Sequence, residues 1–172
     1  MNLQTPTAQN ALLKMISLQK TKSADLPVVM EMENHADNRD FITQNSFDRH
    51  LSIINSTDEE HLKVIDSEGK MIGYVILVGL ENPNKIIELR RLVIAEKGKG
   101  YGRETLRLIK QYCFDDLKCH RLFLDVVEDN VRAQHLYRSE GFVLEGLMRE
   151  AHKTKDGYKN LLLLSILEHE NR

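Results

Sequence analysis

Three glycines at alternate positions, Gly98, Gly100 and Gly102, stand between a β-branched apolar run and an amphipathic one, with Lys97, Lys99 and Arg103 beside them. Only glycine lets a backbone turn tightly and approach a ligand with no Cβ in the way. The free N–H groups of such a loop, set at a helix N-terminus, make an anion site, so a phosphate-bearing ligand is the expected occupant. The loop lacks the closing Gly-Lys-Ser/Thr of a P-loop, and its G-x-G-x-G spacing departs from the dinucleotide fingerprint. A glycine-rich hairpin is the bland alternative; the flanking cations and the helix that follows weigh against it.

Further along comes Asn130-Val-Arg-Ala133-Gln-His-Leu-Tyr137-Arg-Ser-Glu-Gly141-Phe142. Asn130, Ala133 and Tyr137 are spaced three and four apart, hence on one helix face. A small Ala133 lets a ligand chain lie against that helix, and Tyr137 projects a phenol beside it. Taken alone, the segment reads equally well as a capped helix with a core tyrosine.

Elements that would hold these groups follow from periodicity. Residues 14–20 read as a strand, and Leu26 to Met32 as a helix whose first turn accepts Pro27. Ser46 or Asn45 caps a second helix through Phe47, Leu51, Ile53 and Ile54. His61–Ile65 and Met71–Leu80 are β-rich runs around the turn 66–70, and Lys85–Ile94 is the next strand. From Tyr101 to Lys118 the period changes, with Leu106, Ile109, Cys113 and Leu117 on one helical face. Arg121–Val127 returns to strand, Asn130–Glu140 is a helix stopped by Gly141, and Phe142–Lys153 and Tyr158–Glu168 form a closing hairpin. The expected fold is a single α/β domain over residues 1–172. Its mixed, mostly antiparallel sheet carries helices on its faces, and the helix after Gly100 links a central parallel pair.

In this order, the two chemical elements resemble the GNAT superfamily of N-acetyltransferases. Lys97-x-x-Gly100-x-Gly102 is similar to that family's Q/R-x-x-G-x-G/A pyrophosphate loop, with lysine in place of Gln or Arg and a shorter approach from Ile94. The C-terminal half, including Val143-Leu-Glu-Gly146, looks most like the bacterial branch of ribosomal-protein N-terminal and diamine or polyamine acetyltransferases. The resemblance implies acetyl-CoA as co-substrate. Leu92, Val93 and Ile94 would pair with the pantetheine arm like an added strand. Lys97, Gly98, Lys99, Gly100, Tyr101, Gly102 and Arg103 would hold the pyrophosphate, and Asn130, Ala133 and Tyr137 would also meet the cofactor. Tyr137 would reach the sulfur and protonate the departing thiolate. Acetyl would pass directly to an amine in a ternary complex, so neither Cys113 nor Cys119 is needed as nucleophile; both read as core.

An attacking amine must first lose a proton. At pH 7 that costs about 4.6 kcal/mol for a lysine-like amine and about 1.4 kcal/mol for an α-amine. Glu88, on the strand leading into the loop, is the candidate base, acting through water. By alternation it shares a face with Arg90 and Leu92, and an ion pair with Arg90 is an equally good account of it. His50, His61, His135 and His152 show no metal-ligand spacing, and no metal is expected.

The formal charge of −2 argues against a general nucleic-acid binder, yet it is unevenly spread. Residues 25–66 hold ten acidic residues against Arg39, Arg49 and Lys63, a net −7 that leaves +5 elsewhere. In GNAT relatives that region forms much of the acceptor side, so its acidity points to a diamine or polyamine, with a peptide or ribosomal-protein N-terminus as the rival acceptor. Solvated helix faces are the plain alternative for these acids. A non-catalytic acyl-CoA sensor is the reading from another class. No run approaches a membrane span, no signal peptide is recognisable, and two cysteines give no disulfide framework. A cytoplasmic enzyme is expected, with edge strands suited to pairing in a homodimer.

Overall fold

The computed structural model describes residues 16–172. Seven strands form one sheet: β1 (Ile16–Lys20), β2 (Glu59–Asp66), β3 (Met71–Val78), β4 (Ile86–Ile94), β5 (Arg121–Val127), β6 (Val143–Thr154) and β7 (Gly157–Leu167). Their spatial order is β1-β2-β3-β4-β5-β7-β6. Every neighbouring pair is antiparallel except β4 and β5. The expected first strand is present from Ile16; Lys14 and Met15 lie outside the described residues.

Helices α1 (Leu26–Asn34), α2 (Ala36–Arg39) and α3 (Phe47–Ile54) fill the crossover from β1 to β2, and α4 (Tyr101–Gln111) and α5 (Val131–Ser139) follow β4 and β5. Pro27 sits in the first turn of α1, where its missing N–H is no loss. Between the two expected caps of α3, Ser46 takes the role, its Oγ accepting from the Arg49 N–H at 3.1 Å. The expected helix from 101 to 118 is shorter. It passes at Tyr112 into a π-turn ending at Asp116, closed by Leu117 N–H donating to the Tyr112 carbonyl. Leu106, Ile109 and Cys113 still face the core.

Two apolar cores sandwich the central strands. On one side Leu106 and Ile109 of α4, Tyr137 of α5 and Phe142 just beyond it pack against Val75, Leu89, Leu122 and Leu124. On the other, Leu26, Val29 and Met32 of α1 and Ile53 of α3 pack on Tyr74, Ile76 and Val93. Both cysteines are buried.

Strand β4 does not keep simple alternation. Its pairing with β3 jumps from Leu77↔Leu89 to Ile76↔Arg91, leaving Arg90 as a bulge. A bulge inserts one residue and turns the side chains beyond it to the other face. Leu89, Leu92 and Ile94 therefore join the α4 side, while Val93 faces the α1 side. Leu92 consequently does not share a face with Glu88, correcting the alternation argument. The same bend splays the parallel pair: β4 bonds β5 only through Ile86–Glu88 and Arg121–Phe123, although both strands continue.

Candidate functional site

Beyond Glu88 and Phe123 the two strands part, and a cavity of about 930 Å³ opens between them, a size that suits a substantial ligand. Past Glu88, the edge of β4 that faces β5 has no strand partner. An unpaired edge offers backbone donors and acceptors to an extended ligand. Leu92, Val93 and Ile94 all line the cavity there.

At one end of the cavity lies the glycine loop. Gly98 and Gly100 have φ of 82° and 83°, and a Cβ on either would stand in open space. Their glycine identity thus comes from the left-handed backbone, and the space above them is free. Gly100 is the N-cap of α4 and offers no side-chain cap. The N–H groups of Tyr101, Gly102 and Arg103 consequently have no partner among the described residues, the state in which a helix N-terminus attracts an anion. Gly102 differs: a Cβ there would make ordinary contact with Leu136 of α5 at 3.5 Å, so neither packing nor a left-handed backbone demands glycine at this position.

The loop's cations divide. Lys97 lines the cavity, but its ammonium donates to Asn38 Oδ1 and to the Ile94 carbonyl, each at 2.7 Å. Burial, with Arg132 nearby, lowers its pKa. Lys99 is ion-paired with Glu96. Arg103 reaches across to Ser139 at 2.9 Å and Glu140 at 2.5 Å, tying α4 to the end of α5. Neither Lys99 nor Arg103 lines the cavity; Lys97, Gly98, Gly100, Tyr101 and Gly102 do. The anion cradle is therefore mainly backbone.

From α5 come Asn130, Ala133 and Tyr137, all on the cavity wall. Asn130 Oδ1 caps its helix, accepting from the Ala133 N–H at 3.2 Å. Tyr137 is 9 % exposed, packs on Phe142 with ring centroids 5.9 Å apart, and donates no hydrogen bond among the described residues. Burial, and then the charge of Asp125, push its phenol up to about 12.

Glu88 also lines the cavity. Its carboxylate is held by Arg90 through two hydrogen bonds, 3.2 and 2.6 Å. Arg90 lies 3.7 Å from Glu59, itself bidentate with Arg49 at 2.8 and 2.5 Å. The ion-pair account of Glu88 is thus present in the structure, in a chain of alternating charge.

Asp125 was missed by the motif reading. It lines the cavity from the face of β5 opposite to the buried Leu124 and Val126, and has no ion pair or hydrogen bond among the described residues. Asp125 is solvent-accessible from the cavity; partial desolvation there and the neighbouring Glu88 raise its pKa, against Arg90, His152 and Arg91. The available signal was a lone acid alternating against the apolar residues of Arg121–Val127.

Residues 25–66 are less acidic toward the cavity than their composition suggests. Asp25 pairs with Lys63, Glu59 with Arg49 and Glu60 with Lys20, while Glu33 is buried. Of the ten acids only Asp37 lines the wall. No group of three or more potential ligands for a metal occurs among the described residues.

Residues 26–142, more than half of the chain, match the Acetyltransferase (GNAT) family. The chain belongs to that family. Spermidine N(1)-acetyltransferase of Escherichia coli (strain K12) is 24 % identical over 162 residues, 90 % of this chain and 87 % of that protein. The crystal structure of Vibrio cholerae spermidine N-acetyltransferase in complex with CoA and spermine superimposes with a TM-score of 0.83 at 25 % identity, covering 92 % of this chain and 98 % of that one. A dodecameric structure of the same Vibrio enzyme gives 0.77 at 26 % identity, covering 90 % and 95 %. This GNAT chain is an acetyl-CoA-dependent N-acetyltransferase, and its uncapped helix N-terminus, glycine cradle and free β4 edge fit the donor. No helix among the described residues is long and apolar enough to cross a membrane.

Proposed function

We propose that this enzyme acetylates a diamine or polyamine in the cytoplasm, with the amine entering against Glu88 and Asp125. The observation that carries the reading is Asp125, a carboxylate on the cavity wall with no cation of its own. An ammonium-bearing acceptor supplies that cation, and likeness to spermidine acetyltransferases over nine-tenths of the chain supports the same class.

Bound acetyl-CoA supplies the activated acetyl group. Leu92, Val93 and Ile94 would hold the pantetheine arm by their backbone and the N–H groups of residues 98–103 the pyrophosphate, with Lys97 on the wall beside it and Lys99 and Arg103 turned into pairs with Glu96 and Glu140. Asn130 and Ala133 shape the α5 wall. Asp125 is the better placed proton acceptor of the two carboxylates, because it has no hydrogen bond or ion pair among the described residues, whereas Glu88 is occupied by two hydrogen bonds from Arg90. Glu88 then orients the ammonium or relays its proton through water. Tyr137 donates a hydrogen bond to the developing thiolate. Complete transfer from a phenol near 12 to a thiolate of ordinary pKa about 8.5 is uphill by roughly 5 kcal/mol. The proton that neutralises the thiolate comes instead from the attacking nitrogen, which becomes strongly acidic once acylated.

One observation favours a second acceptor, a peptide or ribosomal-protein N-terminus: of the ten acids of residues 25–66 only Asp37 lines the cavity, and Asp25, Glu59 and Glu60 are paired with Lys63, Arg49 and Lys20, leaving little to attract a polycation, and an α-amine is cheaper to deprotonate. CoA release with spermidine, spermine, amino acids and short peptides separates the two. Turnover confined to polyamines upholds the proposal; turnover with peptides alone overturns it. Silence with acetyl-CoA still bound leaves the acyl-CoA sensor. Asp125→Asn is expected to lower kcat/KM for the acceptor by about 10²-fold and to remove the acid limb of its pH profile. Oligomerisation through the exposed edge strand β6, where Val143, Leu144 and Leu147 are uncovered, fits a homodimer as the minimal unit.

A further inference from the structure

Behind the cavity wall lies a buried polar cluster that the chemistry above does not use. Glu33, on α1, is 1 % exposed and does not line the cavity. Its Oε1 accepts from the Tyr74 hydroxyl at 2.6 Å and from Arg91 Nη1 at 3.5 Å, and its Oε2 accepts from the backbone N–H of Asn45 at 3.0 Å. His50 Nε2 lies 3.2 Å from Oε1, off a good hydrogen-bond angle. His50 Nδ1 is 3.2 Å from His61 Nε2, and His61 Nδ1 is 2.9 Å from the Thr21 hydroxyl. Burial alone would raise the pKa of Glu33, but the nearby His50 ring and the hydrogen bonds from Tyr74 and the Asn45 N–H keep it below the usual carboxylate range.

The second half of the arrangement is Arg91. The same Nη1 that reaches Glu33 donates to the Thr43 carbonyl at 2.9 Å. Residues 40–46, between α2 and α3, have no helix or strand of their own, yet Thr43 and Asn45 form part of the cavity wall. Their backbone is therefore anchored by charge: Asn45 N–H on Glu33 and Thr43 C=O on Arg91. A buried ion pair contributes little net stability against an apolar replacement of similar shape, but it demands one geometry. Here that geometry belongs to an irregular segment facing the substrate.

We propose that Glu33, acting through Arg91, is a positioning residue that fixes residues 43–45 as the acceptor-side wall of the cavity. The assignment of that wall to the acceptor rests on the function proposed above. The bulge at Arg90 makes the clamp available, because it turns Arg91 onto the α1 side of the sheet instead of the α4 side.

The test uses Glu33→Gln, which keeps size and shape, in the full chain. Acceptor KM is expected to rise about tenfold, while CoA affinity by calorimetry stays within twofold. By NMR hydrogen exchange, the Asn45 amide is expected to exchange at least tenfold faster while the amides of β3 keep their protection. The exchange readout needs no acceptor, so it decides the clamp even if every amine tried is inert. Unchanged Asn45 protection overturns the clamp. Faster Asn45 exchange with an unchanged acceptor KM overturns the assignment of this wall to the acceptor. Parallel loss of CoA affinity and β3 protection overturns positioning in favour of general destabilisation. Should Glu33→Gln fail to fold, Arg91→Met carries the same readouts. Where both fold, the double variant is expected to be no worse than Glu33→Gln alone; multiplied effects overturn a single clamp.

Discussion

The proposed donor and acceptor halves of the cavity are built on different principles. The donor half is backbone: left-handed glycines, a helix end without a side-chain cap, and a free strand edge, all drawn from one short stretch of chain. Its cations are turned aside into pairs with Glu96 and Glu140. The proposed acceptor half is side chain: Arg49, Arg90 and Arg91 on its wall, from α3 and β4, are locked into charge pairs with Glu59 and Glu33 behind it. A cofactor with invariant phosphates can be held by invariant backbone. An acceptor must be distinguished from other amines, and side chains supply that distinction.

Acid should separate the halves most sharply. His61 is held near pKa 4, against an ordinary 6.5, mainly by burial and by His50. Between pH 6.5 and pH 4 the unfolded chain takes up this proton and the folded one does not, so stability falls as pH drops through that window, by about 3 kcal/mol. Urea midpoints at pH 7 and pH 4 measure the loss, and His61→Gln should flatten it. Equal midpoints for the parent protein would show that the cluster does not titrate as described.

Tyr137→Phe comes next. It removes the hydroxyl shared by both halves, and kcat is expected to fall about 10²-fold with CoA affinity unchanged by calorimetry. An unaltered kcat would remove Tyr137 from the reaction and favour a sensor. Gly100→Ala strains a left-handed residue in the donor half alone. A roughly tenfold weaker CoA, with acceptor KM kept, is expected; a shift in acceptor KM instead would mean that the two halves are not independent. Lys99→Ala should change acetyl-CoA KM by less than about twofold, because an exposed, already paired lysine contributes little. A large effect there would make side-chain charge, not backbone, the main hold on the pyrophosphate.

Local signals in the sequence were sufficient for the element order, the glycine loop, the Asn130 cap and the parallel crossover. Each depends on spacing within a few residues, and short-range sterics and hydrogen bonding decide such features. Leu92 shows where that logic stops: period-two alternation placed it with Glu88, and a one-residue bulge, set by pairing with β3, moved it to the other face. Composition was similarly blind to pairing. Ten acids between 25 and 66 carry the same charge whether they face solvent, a substrate or an arginine distant in sequence.

The sequence by itself determined that this is a GNAT-type, acetyl-CoA-dependent enzyme with a glycine loop at a helix start, because three glycines at alternate positions and the helix after them encode that feature locally. Only the tertiary structure decided that Asp125 stands without a cation beside Glu88, that Lys99 and Arg103 turn away, and that Glu33 and Arg91 grip the wall at residues 43–45. Those outcomes depend on which charges meet across strands and helices remote in sequence, and the fold sets those distances.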